Sequence, residues 1–293
     1  MFLFKLYFIK ALKKLKLLNY FNFVTDISLN EQNVKIPFIN GIGLTNFILK
    51  AEWLDSLIQG LIPETNGVFI DVGANIGQTL VRVKTIKPDL NYMGFEPNSS
   101  CIFYLQELIR INNYQNCTLH NCALSTKMQT LILEKSYTED SRASVVSSLR
   151  PGYFEYNENV LALDFDSYFS NIQIVFVKID VEGAELEVIQ GMKQSIVKYK
   201  PLITCEVLDS HNPSVIQFTQ NRADKLCELM HSLNYSVVRL QTTDIGGKII
   251  GYEKINKIAI KQWTPASSRE NDYLFYPDNI GSEVLKNLKG LCH

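Results

Sequence analysis

The chain reads as an open α/β fold, a sheet with helices between successive strands, and three stretches say so. The apolar run Val68–Ile70 follows the breaker pair Asn66-Gly67 and ends in Asp71-Val72-Gly73-Ala74-Asn75-Ile76-Gly77, after which Ile76 to Val83 has helical character. Asn91 to Pro97 repeats that order: a strand ending in the acid Glu96, then a helix opened by Pro97-Asn98 and running through Arg110. Ile174–Ile179, apolar apart from Lys178, ends in Asp180-Val181-Glu182-Gly183-Ala184-Glu185 before another helix. Acids at the carboxyl ends of strands border the crevice where open α/β sheets bind ligands.

Composition bounds the rest. With 293 residues, 46% hydrophobic and 20% charged, the chain can build one large α/β domain with additions. The division expected is an accessory segment over residues 1–62 and the main domain over 63–293. A net charge of −1 and the lack of an Arg-rich patch argue against a nucleic-acid partner. Six cysteines without a Cys-x-x-Cys pair suit reduced thiols of a cytoplasmic protein.

Taken in order, the first 23 residues carry Lys5, Lys10, Lys13, Lys14 and Lys16, and no acid precedes Asp26. Phe2, Leu3, Leu6, Ile9, Leu12 and Leu17 can share one broad helical face. Such a helix has two destinations: docking on its own domain, or peripheral contact of residues 1–23 with an anionic membrane, here the inner face. It is too charged to span a bilayer and lacks the apolar core and cleavage site of a signal peptide. Val24 to Asn46, broken by Asn40-Gly41-Ile42-Gly43, suggests a β-hairpin or loose cover, and Trp53, Leu54, Leu57, Ile58 and Leu61 mark a helix.

After the Glu96 unit come a strand at Cys117–Asn121 and an alternating strand at Thr130–Leu133. Residues 135–159, with Ser136, Ser141, Ser144, Ser147, Ser148, Pro151 and Gly152, form a loop long enough to be a substrate lid or an exposed insertion. A strand at Pro201–Leu208 is closed by Glu206, Asp209 and His211. A helix at Arg222–Leu233, a strand at Tyr235–Leu240, the Gly246-Gly247 turn and a strand at Lys257–Ile260 complete the sheet, with Asn271–Pro277 as a final edge segment.

The chemistry follows from what the first turn lacks. No Lys follows Gly77, so it is not a phosphate-binding P-loop, and Asn75 replaces the middle glycine of a dinucleotide fingerprint. Asp71 would repel a pyrophosphate but accept hydrogen bonds from an amino group or hydroxyls, so the turn favours a cationic or neutral ligand over uncovered backbone N–H groups. Glu96 stands 25 residues beyond Asp71, near the ~20-residue offset at which an acid meets ribose hydroxyls. Asp180 is the best placed of the third cluster, since Glu182 and Glu185 also suit the first turn of a helix. His211 is the one histidine at a strand-end crevice, where a group titrating near neutrality can accept a hydroxyl proton. A divalent cation such as Mg²⁺ on Asp180, Glu206 and Asp209 is the alternative route to an acidified hydroxyl.

Phe69-Ile-Asp-Val-Gly-Ala-Asn-Ile-Gly77, Gly94-Phe-Glu-Pro97, Ala123-Leu-Ser125, Leu163-Asp164 and Val177-Lys-Ile-Asp-Val-Glu-Gly-Ala-Glu185 together resemble the FkbM-type methyltransferases, in that family's order over roughly residues 65–277. Glu206 and Asn271–Pro277 look similar too. The resemblance implies a Rossmann-like, seven-stranded, mostly parallel sheet with one antiparallel strand and helices on both faces. It also implies S-adenosylmethionine as cofactor and O-methylation of a sugar, glycan or natural product as the activity. By position, Asp71 and the Gly73–Asn75–Gly77 turn would hold the methionine moiety, Glu96 with Pro97 the ribose, and Asn121, Cys122 and Ala123 the adenine border, with Asp180 also among the cofactor-binding residues. Asp180, His211 or Glu206 would then take the proton of the acceptor hydroxyl. The rivals are metal-assisted methylation of a small diol, a nicotinamide-dependent oxidoreductase, disfavoured by the missing glycine fingerprint, and a non-catalytic glycan-assembly protein.

Overall fold

The computed structural model describes residues 2–15, 17–48, 50–137, 140, 142–146 and 152–292; Lys16, Ser141, Ser147, Ser148, Pro151 and the side chains of Phe2 and Leu3 lie outside the described residues. The chain begins with helix α1 (Phe2–Lys14), the hairpin β1 (Phe23–Leu29) and β2 (Gln32–Phe38), and helices α2 (Leu44–Ile48) and α3 (Glu52–Leu61). The hairpin turns at Asn30-Glu31, both with positive φ (48° and 63°), which is the backbone a two-residue turn of a twisted ribbon requires. Asn40-Gly41, singled out from sequence, instead closes a small bridge between Ile39 and Ile42.

The main sheet starts at β3 (Val68–Val72) and α4 (Gln78–Ile86), then β4 (Asn91–Phe95), α5 (Ser99–Asn112) and β5 (Cys117–His120). Asn98 caps α5 by accepting from Ser100 N at 3.1 Å, and Asn113 ends it in the left-handed region. A side sheet follows, built from β6 (Ala123–Leu124), β7 (Gln129–Lys135) and β8 (Tyr156–Leu163) in the order β6-β8-β7. The chain then returns through α6 (Phe165–Phe169), β9 (Ile174–Ile179), α7 (Glu185–Gly191), α8 (Lys193–Tyr199), β10 (Leu202–Glu206) and α9 (Ile216–Ser232). It finishes with β11 (Tyr235–Thr242), β12 (Ile249–Ile255), β13 (Asp272–Pro277) and α10 (Gly281–Leu291).

The order across the sheet is β12-β11-β13-β10-β9-β3-β4-β5. Strands β5, β4, β3, β9 and β10 are parallel, and β13 runs against both β10 and β11. The expected architecture therefore stands with one strand added: β12 makes eight, pairing antiparallel to β11 at the edge. Two expectations fail. Lys257–Ile260 is no strand; Ile258 and Ile260 are buried, but their backbone is bonded by the Gln220 side chain of α9, which donates to Ile258 O at 2.9 Å and accepts from Ile260 N at 2.8 Å. The segment Asn271–Pro277 is not an edge but an interior strand.

Apolar cores cover both faces. On one, Phe69 stacks on Phe176 (centroids 5.1 Å) and Tyr92 (6.2 Å) under residues of α3, α4, α5 and α10. Ile9 of α1, Leu18, and Val34, Ile36 and Phe38 of β2 belong to the same cluster, so the first forty residues bury apolar side chains into the core of the sheet. On the other face α7, α8 and α9 cover Ile70, Val177, Ile179 and Ile203.

Candidate active site

A cavity of about 310 Å³ opens at the carboxyl edge of the parallel strands, at the lower end of the range typical of small-molecule sites. Its floor comes from the strand tips: Val72 to Asn75 at the end of β3, Phe95 to Pro97 at the end of β4, Lys178 of β9 with Asp180 to Glu182 after it, and Glu206 of β10. Since β13 is antiparallel, its first residue, Asp272, stands opposite Glu206 in the register and joins the same floor. Further walls come from Ala123 and Leu124, from Asp140, Ala143 and Val145 of the segment between β7 and β8, from Trp53 of α3, and from the β11–β12 turn at Ile245-Gly246.

The first turn is built tightly. Gly73 (φ +84°) passes so close to β9 that a Cβ there would stand 1.9 Å from Asp180 O, and a Cβ on Gly77 (φ +90°) would meet Leu105 and Leu108 of α5 at under 3 Å. The N–H groups of Gly73 and Ala74 both donate to Phe95 O, that of Gly77 to Ala74 O, and that of Asn75 to Glu96 Oε2 at 2.8 Å. The expectation of uncovered N–H donors at these positions is therefore corrected: the fold itself uses them, and the turn offers shape and acids.

Glu96, unlike Asp71, reaches the cavity. Its Oε2 accepts from Asn75 N and its Oε1 from Asn98 N, both at 2.8 Å, which fixes the carboxylate and leaves each oxygen a lone pair for a further donor. Burial raises its pKa to about 7, with the two backbone donors and the charges of Asp71 and Asp180 acting in opposite senses. Asp71 lies behind the wall rather than on it. Fully buried, it accepts from Tyr92 Oη at 2.5 Å through Oδ2, while Oδ1 has no hydrogen-bond partner. Burial pushes it up to about 6, opposed chiefly by the Lys178 ammonium. Cys122 is buried beside the cavity and off its surface, whereas Ala123 is on it; Gly77 likewise supports the turn without lining it. Asn121 Nδ2 donates to Glu96 O and Pro97 O, holding the second turn in place.

Lys178, which the sequence reading passed over as an interruption, organises the floor. It faces Asp71 across the β3–β9 register and donates to Asp180 Oδ2 at 2.9 Å. Burial works against its charge, yet Asp180, Asp71 and Glu206 together hold its pKa above the ordinary lysine value. Burial, then Asp180 and its neighbours, push Glu206 well up; Asp272 is raised to about 7 by burial and Asp180. A lysine in an otherwise apolar central strand is the signal that could have found this network, because a buried ammonium needs counter-charges.

The structure does not bring His211 to this cavity. It stacks on Trp263 (centroids 4.6 Å) and borders a separate hollow of about 40 Å³ with Asp209, Glu185 and Arg222. The Mg²⁺ alternative on Asp180, Glu206 and Asp209 finds no support in the donor set. Asp209 Oδ1 accepts from Lys261 N beside the other hollow, Asp180 is engaged by Lys178, and among the described residues no group of three or more His, Cys, Asp or Glu could hold a metal ion. An acid with free lone pairs at Glu96, an apolar border at Ala123 and Leu124, and carboxylates along the floor do suit a ligand bearing ribose hydroxyls, a purine and positive charge.

Residues 71–237 match the model of the methyltransferase FkbM domain. "Methyltransferase 1" of Beauveria bassiana (strain ARSEF 2860) is 24% identical over 183 residues, 56% of this chain and 74% of that protein. Among solved structures, methyltransferase FkbM from Methylobacillus flagellatus KT overlaps 78% of this chain and 48% of its own at 16% identity and a TM-score of 0.47, so this chain spans about half that protein's length. A putative caffeoyl-CoA O-methyltransferase from Staphylococcus aureus overlaps 91% and 90% at 11% identity and a TM-score of 0.41. With the domain match covering more than half of its residues, the chain belongs to the FkbM family of methyltransferases, enzymes whose methyl donor is by implication S-adenosylmethionine.

Proposed function

We propose that the enzyme methylates a hydroxyl group of a sugar, glycan or related natural product. One observation carries the reading: Asp180, Glu206 and Asp272 converge on the floor of the same cavity that Glu96 borders. When bound, S-adenosylmethionine supplies an electrophilic methyl group on a sulfonium, and Glu96 with the Ala123–Leu124 border would hold its ribose and adenine. The residues of the chain then have two tasks. The walls exclude water and align the acceptor oxygen, and a floor carboxylate receives the hydroxyl proton as the new bond forms. Asp180, oriented by Lys178, is the proton acceptor nearest the turn, and Asp272, with a pKa of about 7, is poised to share that proton at neutral pH. His211 has no part in this scheme. Six free thiols, four of them buried, support a reducing, cytoplasmic setting.

The test is twofold. Calorimetry should give binding of S-adenosylhomocysteine and none of NAD, and a panel of hydroxylated acceptors with isotope-labelled donor should yield O-methyl products by mass spectrometry. Asp180→Asn should lower turnover on the order of 10²–10⁴-fold with donor affinity retained. Turnover by wild type should rise as pH passes about 7 and then level, because Asp272, which shares the proton, is ionised only above that value. Methyl transfer to nitrogen or carbon alone, or full turnover by Asp180→Asn, overturns the reading.

A further inference from the structure

We infer that α1 and the turn after it form a docking surface for an anionic lipid bilayer. The observation is a distribution. Of the large hydrophobic side chains exposed among the described residues, seven fall within the first 24 positions: Tyr7, Phe8, Leu15, Leu17, Tyr20, Phe21 and Val24. The helix is not left exposed for want of a core. Ile9 is buried in the main apolar cluster and Leu6 and Leu12 pack against it, so one side of α1 is already docked. Its other side carries a second apolar stripe, with Tyr7, Ala11 and Leu15 at i, i+4 and i+8 and Phe8 beside them, all exposed. A helix that is apolar on both sides has a second partner to meet.

Charge decides which partner. Lys10 and Lys14 are exposed beside that stripe, and no acid occurs before Asp26, so the surface combines aromatic and aliphatic side chains with positive charge. A protein interface core would shed such charge, whereas the border of an anionic bilayer attracts lysines and accommodates tyrosine and phenylalanine at headgroup depth. Among the described residues no helix is long and apolar enough to cross a membrane, so the contact is in the plane of the surface. The inference is independent of the acceptor proposed above, since it rests on residues outside the cavity.

Co-sedimentation of the full chain with phosphatidylcholine vesicles, with and without phosphatidylglycerol, tests it without any activity assay. Binding is expected to the anionic vesicles, weak to the neutral ones, and lost at high salt. Two variants of exposed residues, Phe8→Ser with Leu15→Ser and Lys10→Gln with Lys14→Gln, should each fold as the wild type by circular dichroism and weaken vesicle binding by roughly tenfold or more. No binding to anionic vesicles, equal binding to neutral ones, or unchanged binding by both folded variants overturns the inference. So does light scattering that shows a dimer dispersed by the Phe8→Ser, Leu15→Ser pair, since a second copy of the chain would then occupy the face.

Discussion

At the scale of single residues, burial keeps Asp71, Glu96, Glu206 and Asp272 from ionising freely, and one lysine stands among the acids of the floor. Glu96 illustrates the cost. Its pKa rises from 4.5 to about 7 on folding, so between those values the folded state binds more protons than the unfolded one and stability falls as pH rises. The stabilising effect is complete below about pH 4.5 and lost above about 7, a swing of about 3 kcal/mol for this group. Thermal melting across pH 5 to 8 should accordingly show a shallower decline for Glu96→Gln than for wild type, and the variant should bind S-adenosylhomocysteine poorly. Lys178→Met removes the counter-charge of Asp71 and Asp180 together. Because Asp180 is partly exposed, the loss should fall below the roughly 3–5 kcal/mol of a fully buried pair, read as a lower urea midpoint. In the same variant the rise of turnover with pH should move upward, because Lys178 lowers the pKa of Asp272.

At the scale of elements, what could be read from the sequence was what local pattern and capping determine. The β3–α4 turn, Asn98 before α5, and β9 in full were legible, since β-branched runs, breakers and caps act within a few residues. Glu96 and Asp180 at the cavity were legible for the same reason. What escaped depends on neighbours distant in sequence. Asp272 looked unremarkable because only the antiparallel register beside β10 brings the start of β13 to the end of the other strands. Lys257–Ile260 looked like a strand because burial and extension are local, whereas its hydrogen bonds go to Gln220 of α9. Strand β12 was missed because Gly251, Glu253 and Lys254 interrupt its apolar run, which an edge strand tolerates. Asp71 was expected at the cavity surface; Tyr92, one strand over, holds it beneath. The turn itself yields a prediction. Gly73→Ala puts a methyl into Asp180 O and a side chain at φ +84°, so it should abolish donor binding and lower the melting temperature, as differential scanning fluorimetry with and without S-adenosylhomocysteine would register.

At the scale of the whole molecule, the segment before the family-matched residues is woven into the fold. Val34, Ile36 and Phe38 share a core with Phe69 and Tyr92, Tyr104 Oη donates to Pro37 O at 2.7 Å, and Glu52 N donates to Gly246 O at 2.8 Å beside the cavity. Removing residues 1–40 should therefore do more than shorten the protein. The truncated chain is expected to expose α5, lose cooperative unfolding and aggregate, which size-exclusion chromatography and a melting curve would establish. A fragment that stays monomeric and melts as the full chain does would show that the hairpin is dispensable.

The reversed strand also sets a timetable for biosynthesis. Because β13 slots between β10 and β11, the ribosome has already delivered both flanking strands and the edge hairpin before the piece that joins them emerges. In the sheet, β13 alone joins the β11–β12 pair to β10 and its parallel neighbours, and it also brings Asp272 to the cavity floor. The complete set of floor carboxylates thus waits for β13.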